Sequence, residues 1–256
     1  MLDAVIFDWG GTLAHHADVD VRRLWAPAAL VLAEAEARGA DVDPMRVDAL
    51  CTAFVAVEAE TWSRVRDDQA STTLERIVAE ACRRLDVGLG GDPRALDAAT
   101  AAHLGAWAPL LVHRPSAAPL LTSLRADGLA TGLLSNTHWP RRFHQQLLER
   151  DGLDDLIDAS AYTCELSRMK PHPLAFRAIL QMLHVADPRR AVYVGDRPYD
   201  DCYGARQMGM RTIRVRGTHI DEHDVPDALV YADYRADAVV DDLDEIPDWV
   251  ARWSQP

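Results

Sequence analysis

Five short β-prone runs, most of them separated by much longer amphipathic stretches, constrain this chain more than any other feature. The runs are AVIF at 4–7, LATGLLS at 129–135, AVYVGD at 191–196, RTIRV at 211–215 and ADAVV at 236–240. Stretches at 118–128, 141–152 and 173–184 carry apolar residues at helical spacing and stop at Gly or near Pro. Strand, crossover helix and strand in succession make βαβ units. The sequence therefore predicts an α/β fold, a Rossmann-like parallel sheet with helices on both faces.

The pattern changes between about residue 16 and residue 112, where Ala-, Leu-, Arg- and Glu-rich amphipathic stretches follow one another without a strand. Breaks at RGADVDP (38–44), RDDQAS (66–71) and VGLGGDP (87–93) divide the segment into about four helices. We expect an all-helical cap domain at 16–112, inserted after the first strand of a core domain formed by 1–15 and 113–256. A block placed there sits above the carboxyl ends of the strands, where open α/β sheets hold their ligands.

Composition excludes several classes. With 256 residues and 48% apolar content the chain can bury a full core. Its net charge of -13 argues against a nucleic-acid partner, since such proteins set Lys and Arg against phosphates. Cys51, Cys82, Cys164 and Cys202 lack CxxC spacing and read as reduced thiols. No stretch approaches the roughly 20 apolar residues of a membrane helix, so a soluble, cytoplasmic protein with no membrane partner is expected. Nothing in the sequence sets the oligomeric state.

Four polar stretches fall at or just beyond the ends of predicted strands: Asp8 to Thr12, Ser135 with Asn136 and Thr137, Lys170, and Gly195-Asp196 with Asp200 and Asp201. One such acid is ordinarily a cap or turn former. Four in the same layer, with complementary chemistry, point to a site. A carboxylate serves as a nucleophile when a cation neutralises it and its electrophile. Asp8, Asp196 and Asp201 offer the hard oxygens that suit Mg²⁺. Backbone amides leading to Gly11, and the hydroxyls of Thr12 and Ser135, can donate to phosphoryl oxygens. Lys170 is the chain's single lysine, and arginine supplies every other basic side chain apart from histidine.

These stretches together resemble the four motifs of the haloacid dehalogenase-like hydrolase superfamily, in the branch with a helical cap after the first strand. The resemblance covers nearly the whole chain. It implies that Asp8 is the nucleophile, that Gly11, Thr12, Ser135, Asn136 and Lys170 bind phosphate, and that Asp8, the Gly10 carbonyl, Asp196 and Asp201 hold Mg²⁺, with Asp200 as a neighbour able to substitute. The implied substrate is a small phosphorylated metabolite, cleaved through a phospho-aspartyl intermediate. In one respect the chain departs from the pattern: most phosphatases of the family carry a second aspartate where this chain has Gly10. That aspartate is a general acid/base, a role worth typically 10² to 10⁴-fold. Phosphonatases carry a small residue there but need a cap lysine, which 16–112 lacks; dehalogenases lack the Gly-Asp pair retained here at 195–196. A metabolite-binding protein that has lost turnover is a further alternative. Candidate substitute acids are His15, His16, Asp18 and Asp20, and Trp25, Trp62 and Trp107 are expected mainly in the core.

Overall fold

The computed structural model describes residues 1–16, 18–88, 93–216 and 231–254. Among these, six strands form one parallel sheet: β1 (Ala4–Phe7), β4 (Ala130–Ser135), β5 (Ala159–Tyr162), β6 (Ala191–Gly195), β7 (Arg211–Val215) and β8 (Ala238–Val240), in the order β5-β4-β1-β6-β7-β8. The two remaining strands, β2 (Ala14–His15) and β3 (Val112–His113), pair antiparallel with Ala14 opposite His113. Between them run α1 (Val21–Ala37), α2 (Pro44–Asp68), α3 (Leu74–Arg84) and α4 (Pro93–Trp107), so this small ladder joins the two chain crossings that flank the helical segment. The later helices are α5 (Ala117–Ala126), α6 (Arg141–Arg150), α7 (Pro173–Met182), α8 (Gly204–Gln207), α9 (Tyr231–Tyr234) and α10 (Ile246–Ser254).

Why β1 is apolar at every position follows from its place at the sheet centre, covered on both faces. Val5 and Phe7 pack in one cluster with Leu120, Leu121 and Leu124 of α5, Phe143 of α6 and Val250 of α10. Ala4 and Ile6 point the other way, toward Phe176 and Ile179 of α7 and Ala205 of α8. Ile6 and Phe7 are fully buried, and each such side chain contributes about 1.5–3 kcal/mol relative to exposure. The first cluster continues through Trp9 and Leu13 into α1 to α4, so the helices after β2 share the core of the sheet's one face. Within that segment α1 packs on α2 and α4, and α3 closes against both of those helices.

Capping fixes several boundaries. Asp20 accepts from the N–H of Arg22 at 3.0 Å to start α1, and Thr73 accepts from Arg76 to start α3; each satisfies an amide that the first turn leaves unpaired. α2 runs to Asp68, three residues into the predicted loop at 66–71, and stops at Gln69, whose φ of 54° is left-handed. Polar composition alone marks those residues as a break, yet neither Arg nor Asp forbids helix, as Pro would. β5 is not expected from the sequence because ASAY has no β-branched residue and only one β-prone side chain, Tyr162; pairing with β4 makes it a strand. Part of the predicted break at 87–93 lies outside the described residues. Among the described residues no helix is long and apolar enough to cross a membrane.

Candidate active site

The strand order sets where the site lies. From β1 the sheet grows toward β4 and β5, and from β6 it grows the other way toward β7 and β8. The crevice between the carboxyl ends of β1 and β6 is therefore the switch point at which open parallel sheets take ligands. Asp8 directly follows β1 and Asp196 directly follows β6. Their strands are hydrogen-bonded neighbours, and the Asp8 N–H donates to Val194 O at 2.8 Å.

Two glycines let the acids converge. A Cβ on Gly195 would lie 2.3 Å from Cγ of Asp201, so only glycine allows the π-helical turn at Pro198–Tyr203 to bring that carboxylate under the strand end. Gly11 has φ +86°, and its Cβ would meet Asp196 Oδ2 at 2.3 Å. Gly10 is different: its φ is ordinary, and no atom lies within 4 Å of a Cβ built there.

Lys170 is buried at the centre, with Nζ donating to Asp8 Oδ1 at 2.7 Å, Asp201 Oδ1 at 2.7 Å and Tyr193 OH at 2.9 Å. Three donors meet three acceptors. Its backbone is clamped by Asn136, whose side-chain amide donates to Lys170 O at 3.0 Å and whose oxygen accepts from Lys170 N at 2.8 Å. Asn136 thus spends its side chain on the lysine loop. The other oxygen of Asp201 accepts from the N–H of Arg197 at 2.9 Å, and Tyr193 OH donates onward to Leu134 O at 3.0 Å. Asp200 turns away to Arg197, 3.8 Å from its guanidinium, so of the adjacent acids it is Asp201 that meets the lysine. Ser135 is buried at the end of β4, and Thr12 is buried with Oγ1 lacking a partner among the described residues.

The helical segment closes on this loop. Residues 69 and 70 run beside 168 and 169, with an antiparallel bridge between Ala70 and Arg168, Met169 N donating to Gln69 O at 2.9 Å, and Arg168 Nη1 donating to Asp68 O at 2.6 Å. Leu74 N donates to His138 O at 2.8 Å, holding the start of α3 to the loop after β4.

Electrostatically the cluster is over-supplied with negative charge. Burial pushes Asp8 up to about 6, an effect that Lys170 opposes and Asp201 reinforces. Burial, with the charges of Asp201 and Asp8, pushes Asp196 up to about 8. Lys170 moves the other way: burial disfavours its charge, but Asp201 and Asp8 outweigh that and hold the ammonium well above its usual range. Carboxylate oxygens of Asp8, Asp196 and Asp201 lie within 4.8 Å of one another, and Asp196 Oδ1 is buried without a partner among the described residues. Three buried carboxylates, one ammonium and an orphaned hard oxygen fit a divalent cation such as Mg²⁺.

The sequence from residue 2 to residue 209 matches the family model for haloacid dehalogenase-like hydrolases. The chain belongs to that family. Among curated relatives, the glyceraldehyde 3-phosphate phosphatase of Pyrococcus furiosus is 31% identical over 164 residues, 64% of each chain; that of Methanopyrus kandleri is 31% identical over 55% of this chain and 62% of its own. The chain thus spans less than two-thirds of the length of these relatives. Among solved structures, a 2-haloacid dehalogenase from Pseudomonas syringae has a TM-score of 0.66 at 24% identity, covering 99% of this chain and 100% of its own. A haloacid dehalogenase-like phosphatase from Thermococcus onnurineus has a TM-score of 0.59 at 20% identity, over 97% and 98%. At such identities these structures speak for the fold.

Within this haloacid dehalogenase-like chain, Asp20 is spent capping α1, and the His16 ring rests 5.2 Å from Trp107. His15 lies on β2 and Asp18 is exposed. Trp25 is fully buried, stacked between Phe54 and His103 at 4.5 and 3.6 Å; Trp107 is buried and Trp62 half-buried against His138. Sequence reasoning missed Tyr193, which reads as an ordinary strand aromatic until β4 and Lys170 are placed beside it.

Proposed function

We propose that this chain is a Mg²⁺-dependent phosphohydrolase that acts on a small phosphorylated metabolite through a phospho-aspartyl intermediate on Asp8. The observation that carries this reading is the triple contact of the buried Lys170 ammonium with Asp8, Asp201 and Tyr193, beside the orphaned oxygen of Asp196. Lys170 grips Oδ1 of Asp8, leaving Oδ2 to attack phosphorus. A P–O bond forms to Asp8 as the bond to the leaving oxygen breaks, and water then cleaves the acyl phosphate to return the carboxylate and release inorganic phosphate. Asp8, the Gly10 carbonyl, Asp196 and Asp201 are the groups that would hold Mg²⁺, which when bound supplies positive charge to offset that on the phosphoryl oxygens. The Thr12 and Ser135 hydroxyls orient those oxygens, whereas the expected Gly11 amide is spent on Ala14 O at 2.7 Å, and Asn136 holds the lysine that neutralises them. No side chain at position 10 protonates the leaving oxygen.

Residues 16–112 act, in this reading, as a cap over a core of 1–15 and 113–256, and the backbone clasp of residues 68–70 on the Lys170 loop supports that division. Glyceraldehyde 3-phosphate, the substrate named for the archaeal relatives, is the first compound to try. Free thiols, three of them buried, fit a reducing compartment such as the cytoplasm. The test is phosphate release from a metabolite panel with and without Mg²⁺, in wild type and Asp8→Asn. Release should require Mg²⁺ and vanish in Asp8→Asn; turnover at the wild-type rate in that variant refutes the mechanism.

A further inference from the structure

Trp9 lies between the proposed nucleophile and Gly10, and its indole is buried. The indole Nε1–H donates to His113 Nε2 at 3.0 Å, and His113 Nδ1 lies 2.6 Å from Asp151 Oδ2. An indole nitrogen can only donate. Nε2 must therefore be the lone-pair nitrogen of the ring, which puts the ring proton on Nδ1 and directs it to Asp151. The electrostatics agree: Arg150 holds the Asp151 carboxyl down at about 2, and burial lowers His113 against the opposing pull of Asp151.

The bonds continue past Asp151. Arg150 donates to Asp151 Oδ2 at 2.7 Å, to Ala108 O at 2.9 Å and to Leu111 O at 2.8 Å, which are the residues leading out of α4 into β3. His113 itself sits on β3 opposite Ala14, and Ala14 N donates to Trp9 O at 2.8 Å. Trp9 is thus held at backbone and side chain by the same β2–β3 pair. His144 and Trp139 stand edge-on to its ring, at 4.7 and 6.3 Å between centroids, and set its tilt.

We propose that His113 is a positioning residue for the reaction: a strut restricted to one tautomer that fixes Trp9, and with it the peptide carrying Asp8, against the crossing by which the helical segment rejoins the sheet. This rests on Asp8 being the nucleophile. A small displacement of a nucleophile is enough to matter, because an error of about 1 Å costs on the order of 10²-fold in rate.

Two substitutions separate the strut's halves. Gln at 113 can place Oε1 where Nε2 stood and accept from Trp9, while giving up Asp151; Asn reaches only the Nδ1 position, keeps the donation to Asp151 and abandons the indole. In the full chain, His113→Asn should lower kcat for Asp8-dependent phosphate release by on the order of 10²-fold with KM little changed, and His113→Gln should keep most of the wild-type kcat. Equal losses in the two variants, or no loss in His113→Asn, overturn the proposal. Nitrogen-15 NMR of histidine-labelled wild type at pH 8 supplies a measurement that needs no variant to fold: His113 should carry its proton on Nδ1, and a proton on Nε2 refutes the strut. Absence of any Asp8-dependent turnover in wild type would refute the phosphohydrolase reading instead, and the tautomer measurement would still judge the strut.

Discussion

Gly10→Asp should add the general acid that the site lacks, and the geometry at Gly10 allows a quantitative expectation. Its φ lies outside the left-handed range, it is exposed, and no atom stands within 4 Å of a Cβ built on it. A side chain there is therefore neither strained nor crowded, and replacing glycine at a compatible backbone position stabilises by about 0.4–1 kcal/mol through the unfolded chain. The new carboxyl would stand beside the buried negative cluster of Asp8, Asp196 and Asp201, which raises its pKa and keeps more of it protonated, as a general acid requires. Proton donation of this kind contributes typically 10²–10⁴-fold, and it does so only where the departing oxygen needs a proton. Alkyl phosphates such as glycerol phosphate should therefore gain about 10²-fold or more in kcat/KM, while p-nitrophenyl phosphate, whose phenolate leaves unaided, should change little. Phosphate release from both esters, with Mg²⁺ saturating and Tm recorded, reads the effect. Gly10→Ala is the control, because it stiffens the backbone without supplying a proton and should leave the ratio of the two rates unchanged. An unaltered or lower alkyl-ester rate in Gly10→Asp, with fold and Mg²⁺ affinity intact, means that another group already protonates the leaving oxygen, and the reasoning from the missing side chain fails.

Three further outcomes follow from the same geometry. Asp196, raised to about 8, is mostly protonated at pH 7 before metal binds, so Mg²⁺ binding should release about one proton and strengthen roughly tenfold per pH unit as pH rises toward 8; calorimetry giving the same enthalpy in buffers of different ionisation heat would contradict this. Gly195→Ala forces Asp201 away from Lys170 and should abolish Mg²⁺-dependent turnover while circular dichroism stays native; retained activity would mean that Asp201 is dispensable. Tyr193→Phe leaves one lysine N–H and the Leu134 carbonyl unpaired in a buried setting, at a cost of about 1–3 kcal/mol, and a Tm unchanged from wild type would show that the hydroxyl is not part of the lysine's support.

The convergence at residues 8, 135, 170 and 196 was legible because a parallel sheet puts all its strand ends at one rim. An acid after β1 and an acid after β6 then meet whatever their separation in sequence. The helical segment was legible for the opposite reason, since its amphipathic period runs on with no strand-like interruption. What the sequence hid are contacts decided by pairing across the fold. Tyr193 looks like a core aromatic in AVYVG; only the burial of Lys170 beneath the β4 end gives its hydroxyl a role. The choice between Asp200 and Asp201 depends on a π-helical turn that no local pattern announces. His113 and Trp9 are 104 residues apart, and neither residue type at either position signals the other. β5 is weakly signalled because three of its four residues are Ala or Ser and Tyr162 alone is β-prone, so its strand character comes from pairing with β4.

Lysine at 170 also has a physical reason that composition alone only hints at. In a chain where arginine supplies the other basic side chains apart from histidine, the retained ammonium meets acceptors from three directions: the end of β1, the π-helical turn after β6 and the interior of β6 itself. A compact ammonium with three rotatable donors can satisfy that arrangement, whereas a planar guanidinium presents its donors in a fixed fork suited to one carboxylate. The same geometry accounts for the charge imbalance. One ammonium cannot neutralise three buried carboxylates, and burying unpaired charge is expensive, so burial and the neighbouring carboxylates push up the carboxyl of Asp196, the acid whose Oδ1 finds no partner among the described residues. The acid whose carboxyl is pushed up furthest towards neutrality is thus the one best placed to exchange a proton for a metal ion, and the proton expected to be released on Mg²⁺ binding and the orphaned oxygen are two readings of one electrostatic deficit.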